Sequence, residues 1–371
     1  KVVKPRKKSR AKKASDITTD PVISDDRSEL IFKNNTFPIV GLGASAGGLQ
    51  AFTDFFKAMP ADSGMAFVAI HHVDPDHESL MADLLAKHTS MSVVLAKDHT
   101  KVEPNHVYII PPSYFLKIDN GVLYLTEPDA RRGMRLPIDY FLTSLAEERK
   151  QNTVAVILSG TGSDGTAGVR SIKANGGMVI AQNPREASHD GMPRSAVASG
   201  SVDHVLRVHQ MPKVIMDFCN HPYISKGKAA KVLGENARGS LGDIIDVLKA
   251  YSPINFEFYK EGTLLRRIER RMVLKHMDNS VDYLAFLKDS PDEVEKLFGD
   301  FLISVTSFFR DPESFKYLEK KVLHDLEAHQ RSDKPIRVWV PGCASGEEAY
   351  SLAMLLIENI TANRKHIKLQ I

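Results

Sequence analysis

From residue 37 to about residue 208, short runs rich in Val, Ile and Ala alternate with amphipathic stretches of helical length. No other feature of the sequence constrains the fold as much. Apolar runs without polar interruption suit strands covered on both faces. Helix-length segments between them supply the crossovers that a parallel, doubly wound α/β sheet needs. The expected strands are residues 38–41, 66–71, 93–96, 107–110, 122–125, 154–158, 178–181 and 205–207. The expected helices are 48–59, 77–88, 137–149, 167–175 and 193–199. Residues 93–125 break this rhythm. Pro104, Pro111-Pro112 and Asn120-Gly121 predict a hairpin-rich insertion there, with Asn120-Gly121 as its two-residue turn.

The flanks read differently. Residues 1–36 are polar, and Lys1, Lys4, Arg6, Lys7, Lys8, Arg10, Lys12 and Lys13 concentrate positive charge at their start, which predicts a disordered basic tail. The whole chain of 371 residues carries a net charge of only +3, which argues against a nucleic-acid-binding protein. Two cysteines, Cys219 and Cys343, make neither a disulfide framework nor a metal cluster and fit a reducing cytoplasm. No apolar run is long enough to span a membrane, and the basic start lacks the apolar core of a secretory signal.

Residues 37–212 form the expected α/β domain and 213–238 a linker broken by Pro222, Gly227 and Gly234. Residues 239–330 carry helical stripes, such as Leu241, Ile244, Ile245 and Leu248, and predict a small helical domain. Within it Arg266, Arg267, Arg270, Arg271 and Lys275 recur at helical spacing as a basic face. Asp311 is the expected N-cap of a helix begun by Pro312. Residues 331–371 read as a strand at 336–340, a glycine turn, a helix and the opening of a second strand, so the chain is expected to end inside a Rossmann-like domain.

The chemistry centres on Pro38-Ile39-Val40-Gly41-Leu42-Gly43-Ala44-Ser45-Ala46-Gly47-Gly48. Small residues permit a tight strand-to-helix turn, and Ser45 would stand at a helix amino end, where backbone N–H groups lack partners. Such a turn can cradle a phosphate or present a nucleophile beside an oxyanion site. Two further strand ends carry matching chemistry: His71-His72, and Ser159-Gly160-Thr161-Gly162-Ser163-Asp164-Gly165. In a parallel sheet these ends share one edge, where ligands bind. Ser, His and Asp are the parts of a nucleophilic triad. From the residues alone the alternatives stay open: Gly41, Gly43 and Gly47 as a dinucleotide loop, a structural histidine, and Asp164 as a helix cap.

Gly43-Ala44-Ser45-Ala46-Gly47-Gly48, His71-His72, residues 107–112, Leu136-Pro137-Ile138-Asp139, residues 158–168, Ala181-Gln182-Asn183 and Gly191-Met192-Pro193 together resemble the catalytic domain of the chemotaxis protein-glutamate methylesterases, CheB. The resemblance implies a serine hydrolase that cleaves glutamate γ-methyl esters on chemoreceptor-like signalling proteins and can deamidate glutamine, with no cofactor or metal. It assigns Ser45 as nucleophile, His72 as base and Asp164 as its carboxylate partner. The backbone N–H groups of Ala46 and Thr161 become the oxyanion donors, Thr161 standing where the family has Met. The family's usual phosphoacceptor domain has no counterpart here, so phosphorylation within this chain is not expected.

Thr306-Ser307-Phe308-Phe309-Arg310-Asp311 and residues 338–351 resemble the chemoreceptor glutamate methyltransferases, CheR. This second resemblance implies S-adenosylmethionine as cofactor, with Thr306, Arg310, Gly342 and Glu348 around it, and Ser304 where the family often has Asn. It also implies that the basic face of residues 266–275 docks acidic receptor helices. A methyltransferase cut short at Ile371 is expected to be inactive. The joint expectation is a cytoplasmic chain bearing opposed activities on one receptor-like partner. Its alternative is a scaffold that binds receptor helices without hydrolysing them.

Overall fold

Strand β1 (Ile39–Ala44) lies in the middle of a seven-stranded sheet in which every pairing is parallel. The computed structural model describes residues 37–71, 81–127, 136–221, 224, 237–303, 306, 308–323, 335–362 and 368–371. The expected basic tail, most of the expected linker, His72 and Ser304 lie outside them. From β1 the chain runs through α1 (Gly48–Ala58) to β2 (Ala66–His71), α2 (Met81–Ala86), β3 (Ser92–Leu95), β4 (Thr100–Lys101), β5 (His106–Ile109), β6 (Phe115–Asp119) and β7 (Val122–Thr126). It continues through α3 (Pro137–Arg149), β8 (Thr153–Ile157), α4 (Thr166–Ala174), β9 (Met178–Gln182), α5 (Gly191–Ala198), β10 (His204–Leu206) and α6 (Met211–Cys219). The strand order is β10-β9-β8-β1-β2-β5-β3. The chain builds outward from β1 through β2, then returns to β8 on the other side. The switch point of this doubly wound sheet therefore falls between β1 and β8.

Alternation along β1 separates two cores. Val40, Leu42 and Ala44 pack with Phe52, Phe55 and Phe56 of α1. The opposite face meets α3 through Ile138, Phe141 and Leu142. Gly41 and Gly43 belong to that face. A Cβ on Gly41 would stand 2.6 Å from Leu142 Cδ2, and one on Gly43 2.5 Å from Ile138 Cγ2. These glycines let a helix close on the strand. Both lie inside β1 and not in a loop, so of the three glycines of the dinucleotide alternative only Gly47 stands in the turn.

The expected insertion at 93–125 is only half an insertion. β3 and β5 pair in parallel with each other, and β5 with β2, so both belong to the main sheet. Only β4, β6 and β7 form a small antiparallel sheet. The turn at its tip is as expected: Asn120 (φ 50°) and Gly121 (φ 74°) both occupy the left-handed region that a type I′ turn needs.

The second half begins with α7 (Leu241–Tyr251), α8 (Glu261–Leu274), α9 (Ser280–Asp289) and α10 (Pro291–Phe301), then α11 (Pro312–Tyr317), β11 (Ile336–Arg337), α12 (Glu347–Ala362) and β12 (Leu369–Gln370). β11 and β12 pair in parallel. Asp311 does occupy the position before α11, but in a left-handed conformation (φ 58°) that makes no side-chain cap bond.

The basic face of α8 is not the solvent-facing docking surface its spacing suggested. Arg267, Arg270 and Arg271 are buried. Arg267 donates to the carbonyls of Lys173 and Ala174, each at 2.8 Å, at the carboxyl end of α4. Arg270 donates to Gly177 O (3.0 Å), to Asp300 Oδ2 (2.9 Å) and to Asp203. Arg271 forms a two-pronged pair with Glu293 (2.7 and 2.6 Å), which also accepts from Tyr283. Spacing identified the positively charged residues, but buried carboxylates on α10 and before β10 claim Arg270 and Arg271, and the α4 carbonyls claim Arg267.

Candidate active site

Ser45 is the first residue beyond β1, and Ser159, the second beyond β8, is level with it in the register of the two strands. The Ser45 N–H donates to Ser159 O at 2.9 Å, which ties the two loops together across the switch point. Gly47 (φ 74°) then turns the chain into α1. Ser159 is buried and holds three loops: its Oγ donates to Ala46 O (2.8 Å) and accepts from His189 N (3.0 Å), and its N–H donates to Gln182 Oε1 (2.8 Å). Gly160 N donates to His189 O and Gly160 O accepts from Met192 N, both at 2.9 Å. A Cβ on Gly160 would lie 3.0 Å from Ser45 Cβ and would overlap Met192 Sδ. The Ser45 turn, the 159–165 loop and the 188–192 loop are thus one packed unit.

Ala46 and Thr161, the expected oxyanion donors, lie on the first two of these loops. Among the described residues neither backbone N–H meets an acceptor, as a site that must receive a developing negative charge requires. Asp164 is buried, and its carboxylate is held by backbone donors. Oδ1 accepts from Asp139 N and Gly165 N, both at 2.9 Å, and Oδ2 from Ile138 N at 3.0 Å. Burial pushes its pKa up, and the three N–H donors oppose that rise.

His72, the expected base, lies outside the described residues. His71 ends β2 and faces α1: its Nε2 lies 2.9 Å from the Ser45 carbonyl oxygen, and its ring meets Phe52 edge-on. With a carbonyl as partner, this nitrogen carries the proton, so His71 braces the Ser45 turn and does not offer that atom as a base.

Asp139 is the residue that the site adds to the expected set. Its Oδ1 accepts from Gly168 N in the first turn of α4 at 2.7 Å. Burial raises its pKa to about 6; the Gly168 N–H opposes the rise, and the Asp164 charge adds to it. The signal was present in the sequence. Leu136 and Gly165 precede α3 and α4, and neither has a side chain that can cap a helix.

In the second half the four expected cofactor residues do meet. Thr306, Arg310, Gly342 and Glu348 line one cavity of about 700 Å³, with Asp311, Phe315 and Cys343 also in its wall. Gly342 (φ 68°) and Ala344 (φ 51°) turn the chain between β11 and α12. Phe309 N donates to Ser351 Oγ at 2.8 Å and fixes the 308–310 segment to α12. The cavity has the size, the glycine turn and both carboxylate and guanidinium groups in its lining, which suit a zwitterionic nucleoside such as S-adenosylmethionine. Among the described residues no group of three or more His, Cys, Asp or Glu side chains is placed to hold a metal. Among the described residues no helix is long and apolar enough to cross a membrane.

Residues 40–215 match the CheB methylesterase family. Residues 240–302 match the all-alpha domain of CheR methyltransferases, and residues 304–371 their SAM binding domain. The 104.1 kDa protein of the hypE 3′ region of Rhodobacter capsulatus is 41% identical over 298 residues, 75% of this chain and 31% of its own length. The protein-glutamate methylesterase/protein-glutamine glutaminase of Thermotoga maritima is 32% identical over 183 residues, 48% of this chain and 53% of its own. The chain therefore spans about a third and about half of these relatives. The crystal structure of the Thermotoga maritima CheB methylesterase catalytic domain is 32% identical and overlaps 49% of this chain and 98% of that one, with a TM-score of 0.46. The chain belongs to the CheB methylesterase family over residues 40–215 and carries both CheR methyltransferase domains, the all-alpha and the S-adenosylmethionine-binding one, behind it.

Proposed function

We propose that the first half is a serine hydrolase that removes the methyl group from glutamate γ-methyl esters on a chemoreceptor-like signalling protein, and that it can deamidate glutamine at the same kind of site. Ser45 Oγ attacks the ester carbonyl while His72 takes its proton. The oxyanion that forms is received by the N–H groups of Ala46 and Thr161. The proton passes to the departing methoxy group, which leaves as methanol. Water then attacks the acyl-enzyme, again through His72, and releases glutamate and free Ser45. Asp164 orients His72 and stabilises its charged form. The observation that carries this reading is the joining of the Ser45 turn to the 159–165 loop at the switch point, with two N–H groups left to meet an oxyanion.

In the same reading Thr306, Arg310, Gly342 and Glu348 hold S-adenosylmethionine. The Glu348 carboxylate suits an ammonium or ribose hydroxyls, Arg310 suits the methionyl carboxylate, and Gly342 lets the backbone approach. When bound, that cofactor supplies an electrophilic methyl group. The domains we assign are a basic segment at 1–36, the methylesterase at 37–212, a linker at 213–238, a helical domain at 239–330 and the start of the cofactor domain at 331–371. Two cysteines that pair with nothing, Cys219 and Cys343, suit a reducing cytoplasm.

The test is methanol release from a chemoreceptor methylated on glutamate. The native chain is expected to release methanol, and Ser45→Ala and His72→Ala to abolish release, with His71→Ala retaining part of it. Binding of the receptor without methanol release would leave a scaffold and overturn the hydrolase reading.

A further inference from the structure

Each expected oxyanion donor belongs to a peptide whose carbonyl is held from the other side. The Ala46 N–H shares its peptide with Ser45 O, which accepts from His71 Nε2 at 2.9 Å and from Gly48 N at 2.8 Å. The Thr161 N–H shares its peptide with Gly160 O, which accepts from Met192 N at 2.9 Å. Both peptides are trans, so in each the N–H points away from its carbonyl. Fixing the carbonyl therefore aims the N–H. A hydrogen bond to the carbonyl also polarises the peptide and makes its N–H a better donor. Of these three groups that hold the two carbonyls, Gly48 N and Met192 N are backbone, and His71 is the side chain.

The fold is shaped around that imidazole. His71 ends β2 in register with Ala44, the last residue of β1, and its ring meets Phe52 of α1 edge-on. Gly48, the first residue of α1, leaves room for it: a Cβ there would stand 2.9 Å from His71 Cδ2 and 3.1 Å from Nε2. We propose that His71 is a positioning residue for the hydrolysis: its Nε2–H holds the Ser45–Ala46 peptide in the orientation that turns the Ala46 N–H toward the oxyanion. This rests on the assignment, made above, of Ser45 as nucleophile and of the Ala46 and Thr161 N–H groups as oxyanion donors. His71 acts through the peptide and needs no contact with a reacting atom. Its effect belongs to the transition state, because the donor it aims is needed most where the negative charge develops.

The test compares His71→Leu, which fills the space without a donor, with His71→Gln, whose side-chain amide can again donate to Ser45 O. The substrate is a helical peptide bearing glutamate γ-methyl esters. Outright loss of one oxyanion donor lowers kcat by about 10²- to 10³-fold. In His71→Leu the Ala46 N–H remains and Gly48 N still holds the carbonyl, so kcat should fall by about 10- to 100-fold. KM should stay within about twofold, because the lost interaction is made in the transition state. His71→Gln should recover kcat to within about threefold of native, whereas an imidazole acting as the base could not be replaced by an amide. A native kcat in His71→Leu would overturn the proposal, and so would a kcat in His71→Gln as low as in His71→Leu. Methanol release that survives Ser45→Ala, or no release from the native chain, would instead overturn the hydrolase assignment, so the two failures are told apart.

Discussion

The Arg270 guanidinium on α8 reaches Asp203, the residue before β10, and so binds the helical half of the chain to the methylesterase sheet. Neither side chain is exposed beyond 1%. The same guanidinium holds Asp300 of α10, and Lys173 at the end of α4 closes the cluster with a 2.9 Å bond to Asp300. Two cations and two carboxylates thus share one dry junction. The apolar core follows the same path, since Met211, Ile215 and Phe218 of α6 join the sheet core to Ile244, Leu248 and Ile268 of the helices. The α4 helix spans this junction and the active-site loop, with Arg267 at its carboxyl end and Asp164 just before its amino end.

Removing one partner from a buried ion cluster leaves the others charged and unpaired. Arg270→Ala should therefore destabilise the chain by about 3–5 kcal/mol. Denaturant unfolding, followed separately by a methylesterase-half probe and by Trp339 fluorescence, should lose the coincidence of its transitions. Unchanged stability and a single coincident transition would show that the junction contributes nothing.

Gly160 tests the packing of the nucleophile. A methyl group there meets Met192 Sδ and the main chain of Ser45. Gly160→Ala must push the Met192 sulfur aside and move the Ser45 turn slightly, which misplaces Ser45 Oγ. Methanol release should fall by about 10-fold, with kcat affected more than KM. Far-ultraviolet circular dichroism should stay native, because the change lies in a loop.

Much of this was legible in the sequence. The β2 strand and the α3 helix begin and end where apolar period and Pro137 place them. The Ser45 turn reads correctly because only small residues permit it. Two things were hidden. β3 and β5 look like hairpin strands, since strand direction is set by which neighbour is paired and not by local pattern. The arginines of α8 look like a solvated face, because charge spacing cannot reveal buried carboxylates supplied by Asp203, Glu293 and Asp300 from distant sequence. Asp164 stands out in the sequence through its motif, whereas its hydrogen bonds to the Ile138 and Asp139 N–H groups are tertiary facts.

Glu348 and Arg310 line the same cavity of the second half, and Glu348 should carry the positive end of a bound cofactor. Glu348→Ala is expected to weaken S-adenosylhomocysteine at least 10-fold by calorimetry, about 1.4 kcal/mol. Ser45→Ala should leave that affinity unchanged. Equal affinity in Glu348→Ala and the native chain would remove Glu348 from the site.

Asp139 also makes a prediction about stability against pH. Its pKa is raised in the fold, from an ordinary 3.8 to about 6, so the folded chain holds this proton more tightly than the unfolded chain does. Its contribution is therefore fully present below about pH 4 and is lost as pH rises through about 6. Above that, the ionised carboxylate costs on the order of 2 kcal/mol, a value set below the full linkage figure because the side chain keeps some solvent contact. Asp139→Asn cannot ionise and avoids this cost. In urea unfolding at a series of pH values, the variant should match the native chain at pH 4, gain on it between pH 5 and 7, and level off above. A stability difference that does not change between pH 4 and pH 8 would mean that the Asp139 carboxylate is ionised as easily in the fold as in water.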